Sequence, residues 1–258
     1  MRYGRSSLAL VSLSIALACD SYDSAGPGRP VDLPLRVIEA SGDLAAALAD
    51  FRTTVGDPAN GGGVGPQPAG RREVRWDGVP VEQTNTDGFP ADFFKGAGLI
   101  STTDGIGTRV SDNDFADINP SYAGEFESFS KVKTFMASGS ARLTLRFRVP
   151  GTETEGVVSG FGIVFSDVDR AGAAHITLCA LDGTNLGNYI APVRSDLAGH
   201  SFVGVVVDQP IIGRVEVTSG EAPLSAGRND LSLGGSHDLV VTDDFLFGEP
   251  QPQAAPAS

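Results

Sequence analysis

The 258-residue chain is poor in cysteine, histidine, tryptophan and lysine, with two, three, one and three of them. Two cysteines, Cys19 and Cys179, are too few for a disulfide-framed fold. The histidines, His175, His200 and His237, stand far apart, and neither His-x-x-x-His nor Cys-x-x-Cys occurs. The short ligand spacings of zinc sites are therefore missing. Basic blocks are missing too. Against 19 Lys and Arg stand 32 acids, for a formal charge of −13. Nucleic acid is excluded as a partner, because its binding needs clustered cations that displace counterions from phosphates. The uncharged run at the N-terminus, Ser6 to Ala18, would cover about 20 Å as a helix, short of the roughly 30 Å of a hydrocarbon core.

That short run has another reading. With Arg2 and Arg5 ahead of it, residues 1–18 have the form of an export signal. Ile15-Ala16-Leu17-Ala18-Cys19 resembles a bacterial lipobox, with Ala16 where Leu is usual, so Cys19 is the expected lipidation site. Several acyl chains there give a stable membrane anchor. Ordinary cleavage after Ala18 is the alternative, and the protein is then secreted. Either way the setting is the extracytoplasmic bacterial envelope. Losing the two Arg of the signal takes the charge from −13 to −15. With Cys19 acylated, Cys179 is left as a free thiol within an apolar strand, where a Cys behaves as a small inert hydrophobe.

Residues 19–36 read as a flexible tether rich in Ser, Asp, Gly and Pro. Residues 41–53 carry the helical pattern, with Ser41 as N-cap and Leu44, Ala47, Leu48 and Phe51 on one stripe. From Arg72 onward period-two alternation takes over. Leu143, Leu145, Phe147 and Val149 fall on one face of a strand, and Arg142, Thr144, Arg146 and Arg148 on the other. Further short runs begin near Val157, His175, Leu186, Phe202, Ile211 and Leu239, punctuated by Pro150-Gly151, Asp182-Gly183, Asp208-Gln209-Pro210 and Ser219-Gly220. This pattern predicts an all-β, antiparallel sandwich with one short N-terminal helix over residues 37–248. The Pro- and Ala-rich residues 249–258 read as a disordered tail.

The order of Val158-Ser-Gly-Phe-Gly-Ile-Val-Phe-Ser-Asp-Val-Asp169, Phe202–Val207, Arg214–Ser219 and Asp243-Asp-Phe-Leu-Phe-Gly248 resembles a jelly-roll sandwich. Such sandwiches occur in secreted bacterial proteins of the PEP-CTERM exoprotein kind, with relatives among carbohydrate-binding modules. The chain departs from the former by ending without a hydrophobic helix. The resemblance implies a fold and an extracytoplasmic setting, and brings no reaction.

Candidate chemistry centres on oxygen. Gly199–Gly204 misses a Gly-x-Ser-x-Gly elbow by one residue and leads into a strand. Gly234-Gly235-Ser236-His237-Asp238 sets three triad residue types side by side, whereas a triad converges from separate segments. Both read as loops. Carboxylates recur at turns and strand ends, in Asp112-Asn113-Asp114 with Asp117 and Asn119, in Asp167 and Asp169, and in Asp243-Asp244. Asp167, Asp169 and Asp244 are the expected ligands of a structural Ca²⁺, which takes oxygen donors. Glu125/Glu127 and Glu153/Glu155, spaced by two, are the pairs available for glycoside hydrolysis. Trp76 and Tyr122 are the expected ligand-binding aromatics, although Trp76 before Asp77-Gly78 also suits a plug at the sandwich end. The sequence thus points to a noncatalytic, lipid-anchored envelope module binding a glycan or a protein. A carbohydrate-active hydrolase and a purely structural surface protein are the alternatives.

Overall fold

The computed structural model describes residues 35–61, 63 and 65–254. The signal, Cys19 and most of the tether lie outside these residues. The chain opens with β1 (Leu35–Ser41), α1 (Ala45–Val55) and β2 (Arg71–Val74). Ten further strands follow: β3 (Leu99–Thr102), β4 (Gly107–Ser111), β5 (Thr134–Ser138), β6 (Arg142–Phe147), β7 (Gly160–Ser166), β8 (Ala174–Cys179), β9 (Asn185–Ile190), β10 (His200–Val207), β11 (Arg214–Ser219) and β12 (Val241–Gly248).

The strands form two antiparallel sheets, as the alternation predicts. The larger has the order β1–β10–β7–β12–β5–β4, with β2 also pairing β12, and the smaller the order β3–β6–β11–β8–β9. From β5 to β12 the chain crosses between the sheets at every connection except the β8–β9 hairpin. Strand β6 shows the half-buried pattern read from its sequence, with Leu143, Leu145 and Phe147 buried and Arg142 and Arg146 exposed. Together with Phe161, Ile163, Phe165, Val203, Val205, Val215, Val217, Phe245 and Phe247, these residues fill the space between the sheets.

Strands β7 and β12 are buried along their whole length. The reason is a second apolar layer on the outer face of the larger sheet. There Leu44, Leu48, Phe51 and Val55 of the helical segment pack on Ile38, Val164, Phe202, Val206 and Leu246. Gly162 and Gly204 face one another across β7 and β10, leaving a furrow that receives Phe51. A Cβ on Gly204 would lie 2.5 Å from Phe51 Cδ2. Loops bury a third cluster, Phe115, Tyr122, Phe126, Met136, Leu224, Leu239 and Val241.

Three boundaries differ from the sequence reading. Ser41 does not cap the helix but ends β1 opposite Ser201, while Asp43 Oδ1 accepts from the Ala45 amide at 3.0 Å. Leu35 and Arg36 belong to β1, not to a tether. Glu249 is not in a loose tail: it is buried and paired with Arg72, and Gln251 bridges Val157. Each of these segments is ordered by a partner remote in sequence, which local composition does not reveal.

Candidate functional site

Four connections gather at one end of the sandwich: β4–β5, β7–β8, β9–β10 and β11–β12. Asp167 leaves β7 with φ of +69°, and its amide donates to Gly199 O in the β9–β10 connection at 2.8 Å. Val168 bridges Arg194 in the same connection. Here Glu125, Asp167 and Asp230 meet, each offering a carboxylate oxygen within 4.8 Å of the others. All three are at most 1% exposed. Asp169 and the buried Asp238 flank them and interact with Asp230 electrostatically.

The hydrogen bonds leave this cluster short of donors. Asp230 accepts from the amides of Leu239 and Ser232, each at 2.6 Å. Asp238 Oδ2 accepts from the Arg170 amide at 2.6 Å, and Glu125 Oε1 accepts from Ser232 Oγ. Glu125 Oε2, both oxygens of Asp167, Asp169 Oδ1 and Asp238 Oδ1 are buried and accept from no donor. Among the described residues no Arg, Lys or His pairs with any of the five carboxylates; the nearby Arg170 guanidinium is turned to Glu221 at 2.8 Å.

Electrostatics make that shortage severe. At 4.8 Å and an effective dielectric constant near 20, two ionised carboxylates repel by about 3 kcal/mol. Three such pairs approach the roughly 5–15 kcal/mol by which a whole domain is stable. Burial first, then contact with Glu125 and the charges of Asp230 and Asp169, pushes Asp167 well above the usual carboxylate range. Burial, outweighing the Arg170 amide and reinforced by Asp230 and Asp169, raises Asp238 to about 7. Glu125 and Asp169 are raised as well, chiefly by burial. The cluster therefore needs either protons or a cation.

The segments adjoining Asp230 and Asp238 line a shallow polar depression of about 590 Å³. One wall runs from Ser225 to Asn229 and the other from Gly234 to His237. Ser121 Oγ donates to Asn229 Oδ1 at 3.1 Å, and Ser236 Oγ lies 2.9 Å from His237 Nδ1. The two walls are joined through Asp230, whose carboxylate turns inward onto the amides of Ser232 and Leu239.

Asp167 belongs to this cluster and Asp169 flanks it, and Asp244 does not join them. It sits beside Asp243 at a bulge in β12, where Ser130 Oγ donates to it at 2.6 Å and Arg75 Nε approaches to 3.6 Å. Trp76 offers no surface to a ligand. It is fully buried, stacked on Phe135 with centroids 3.8 Å apart, and its Nε1 donates to Asp243 O at 2.9 Å. Tyr122 is buried too, with its hydroxyl donating to Arg228 O at 2.8 Å. Both aromatics close apolar clusters, so neither serves as a platform for sugar stacking.

The remaining candidates separate in the same way. Asp112 is held by Thr84 and Asn85, and Asp117 by Arg109. Glu127, Glu153 and Glu155 are exposed while Glu125 is buried, so the Glu125/Glu127 pair shares no face. His175 contacts Gly172 O and His200 contacts Glu127 O, away from His237. Cys179 is buried, with Arg214 Nη2 3.6 Å from its Sγ, but it is not a free thiol. The residues the sequence reading did not assign to a cation are Glu125, Asp230 and Asp238. Their one visible signal is acidity beside turn residues, which is shared by many solvated loops.

Among the described residues no helix is long and apolar enough to cross a membrane. No protein-family model, curated protein or solved structure matches the chain.

Proposed function

We propose that this chain is a noncatalytic, secreted binding module of the bacterial envelope, built on a jelly-roll wrap; Cys179 is not a free thiol and Cys19 is the one other cysteine of the sequence, which leaves Cys19 unsuited to a lipid anchor. The interleaved strand order from β5 to β12 supports the wrap. The observation that carries the binding reading is the polar depression between Ser225–Asn229 and Gly234–His237 at the end where four connections meet. Loops held by a rigid sandwich are where ligand sites of such scaffolds concentrate. Its walls present amide, hydroxyl and imidazole groups suited to the hydroxyls of a glycan. The carboxylates beneath it face inward, and a pair of acids flanking a substrate, as glycoside hydrolysis requires, does not line it.

The test is a glycan array probed with the mature chain, alongside Asn229→Ala and His237→Ala variants. Specific signal lost in both variants, without release of reducing ends, supports the reading. Absence of binding with and without Ca²⁺ refutes its glycan form, and turnover of a bound glycan replaces it with the hydrolase. The state of Cys19 is tested separately by intact mass: a disulfide between Cys19 and Cys179 is expected, and acyl chains on Cys19 would restore the lipid anchor.

A further inference from the structure

We propose that Glu125, Asp167 and Asp230, flanked by Asp169 and Asp238, form a Ca²⁺ site that fastens three connections at the loop end. Glu125 comes from β4–β5, Asp167 and Asp169 from β7–β8, and Asp230 and Asp238 from β11–β12. The decisive feature is Asp167. It is fully buried, it lies within 4.8 Å of two other carboxylates, and neither of its oxygens accepts a hydrogen bond. Buried polar atoms almost always find a partner, and a bidentate carboxylate on a cation satisfies both oxygens at once.

The donor set selects the ion. Five buried oxygens accept from no donor: Glu125 Oε2, Asp167 Oδ1 and Oδ2, Asp169 Oδ1 and Asp238 Oδ1. Asp230, grouped with Glu125 and Asp167 within 4.8 Å, adds lone pairs beyond its two amide bonds, and water completes the shell. Six to eight oxygens without nitrogen or sulfur suit Ca²⁺ and not Zn²⁺. Mg²⁺ keeps several waters and takes one or two protein carboxylates, so a carboxylate-rich buried set fits it less well. The ion replaces mutual repulsion by attraction, and it joins segments that the chain separates by dozens of residues. This inference does not rest on the glycan reading, and its test contains no glycan.

The test compares thermal melting of the mature chain in EDTA and in about 10 mM Ca²⁺, with calorimetric titration of Ca²⁺ for stoichiometry. Extracellular modules bind Ca²⁺ at about 0.1–1 mM. At the tight end the melting temperature rises by about 5–11 °C, for a domain of this size. One Ca²⁺ per chain is expected. Asp167→Asn should abolish the rise while melting in EDTA no lower than the parent, because an uncharged amide replaces a carboxylate that, without an ion, must take up a proton to stay buried. Asp244→Asn should keep the full rise. Equal melting of the parent in EDTA and Ca²⁺ overturns the proposal, as does a rise that survives in Asp167→Asn. If Asp167→Asn fails to fold, the parent's melting shift and stoichiometry decide alone.

Discussion

Replacing Glu249 by Gln should destabilise the protein far more than a change near the end of the chain ordinarily would. Glu249 and Arg72 are each about 1% exposed at the side chain. Arg72 Nε donates to Glu249 Oε2 at 2.7 Å and Nη2 to Oε1 at 2.8 Å. Asn60 Nδ2 and the Gln67 amide also donate to the same carboxylate, at 2.9 and 3.0 Å. The remaining guanidinium donors reach Gly61 O, Gly65 O and Gly96 O. One buried pair thus organises the Gly- and Pro-rich loop ahead of β2. A Gln keeps the shape but turns an amide NH₂ toward two or more of those donors and leaves Arg72 charged without a counterion. Removing one partner of a buried pair costs about 3–5 kcal/mol. At roughly 2–4 °C per kcal/mol for this size, melting should fall by about 6–20 °C. Urea denaturation of the parent and Glu249→Gln gives the energy directly, and a deletion of residues 249–258 should lose at least as much. A loss below about 1 kcal/mol in both, the scale of an exposed pair, would refute the assignment of a buried, organising ion pair.

Other perturbations address the core, the charge clusters and the loop end. Trp76→Ala removes a side chain packed on Phe135, Phe245, Phe94 and Phe89. It should cost about 3–5 kcal/mol by chemical denaturation and leave ligand retention by the folded fraction unchanged. Burial alone would raise Glu73, but hydrogen bonds and charge from Arg52 and then Arg75 outweigh it and lower its pKa from 4.5 to about 2. Its contribution, about 3 kcal/mol, is therefore present above pH 4.5 and lost as pH falls toward 2. The stability gap between parent and Glu73→Gln, followed by denaturation at each pH, should close over that window; a gap independent of pH contradicts the pairing. Gly235→Ala places a Cβ 1.9 Å from Asn229 O and 2.6 Å from Asp230 O, so the backbone at Asn229–Asp230 must move. Overpacking of this kind costs about 1–3 kcal/mol, and here both the Ca²⁺ response and retention on a glycan surface should weaken together. A variant that keeps both would show that the two walls are not coupled through Asp230.

Alternation along residues 141–149 and the spacing of Gly-, Asp- and Pro-containing turns were enough to read an antiparallel sandwich, because period two and turn chemistry are local properties. The helix stripe of Leu44, Leu48 and Phe51 was legible for the same reason. Strand β1 was not, since Leu35–Ser41 becomes a strand only by pairing with β10. Strands β7 and β12 gave apolar runs without alternation because α1 and the loops cover their outer faces, a fact of packing. Trp76 could be read from sequence as plug or platform, and its stack on Phe135 and bond to Asp243 O decide for the plug.

The acidic cluster divides in the same way. Composition determined that acids exceed bases and gather at turns, and Asp167 and Asp169 were visible as a pair ending a strand. Which acids share a space was decided by three connections folding over one end of the sandwich. They bring Glu125 and Asp230 to Asp167 and leave Asp244 with Ser130 and Arg75. A carboxylate at a turn is the same in sequence whether water or a second carboxylate faces it. Burial and distance set its charge state, and only the tertiary structure supplies those.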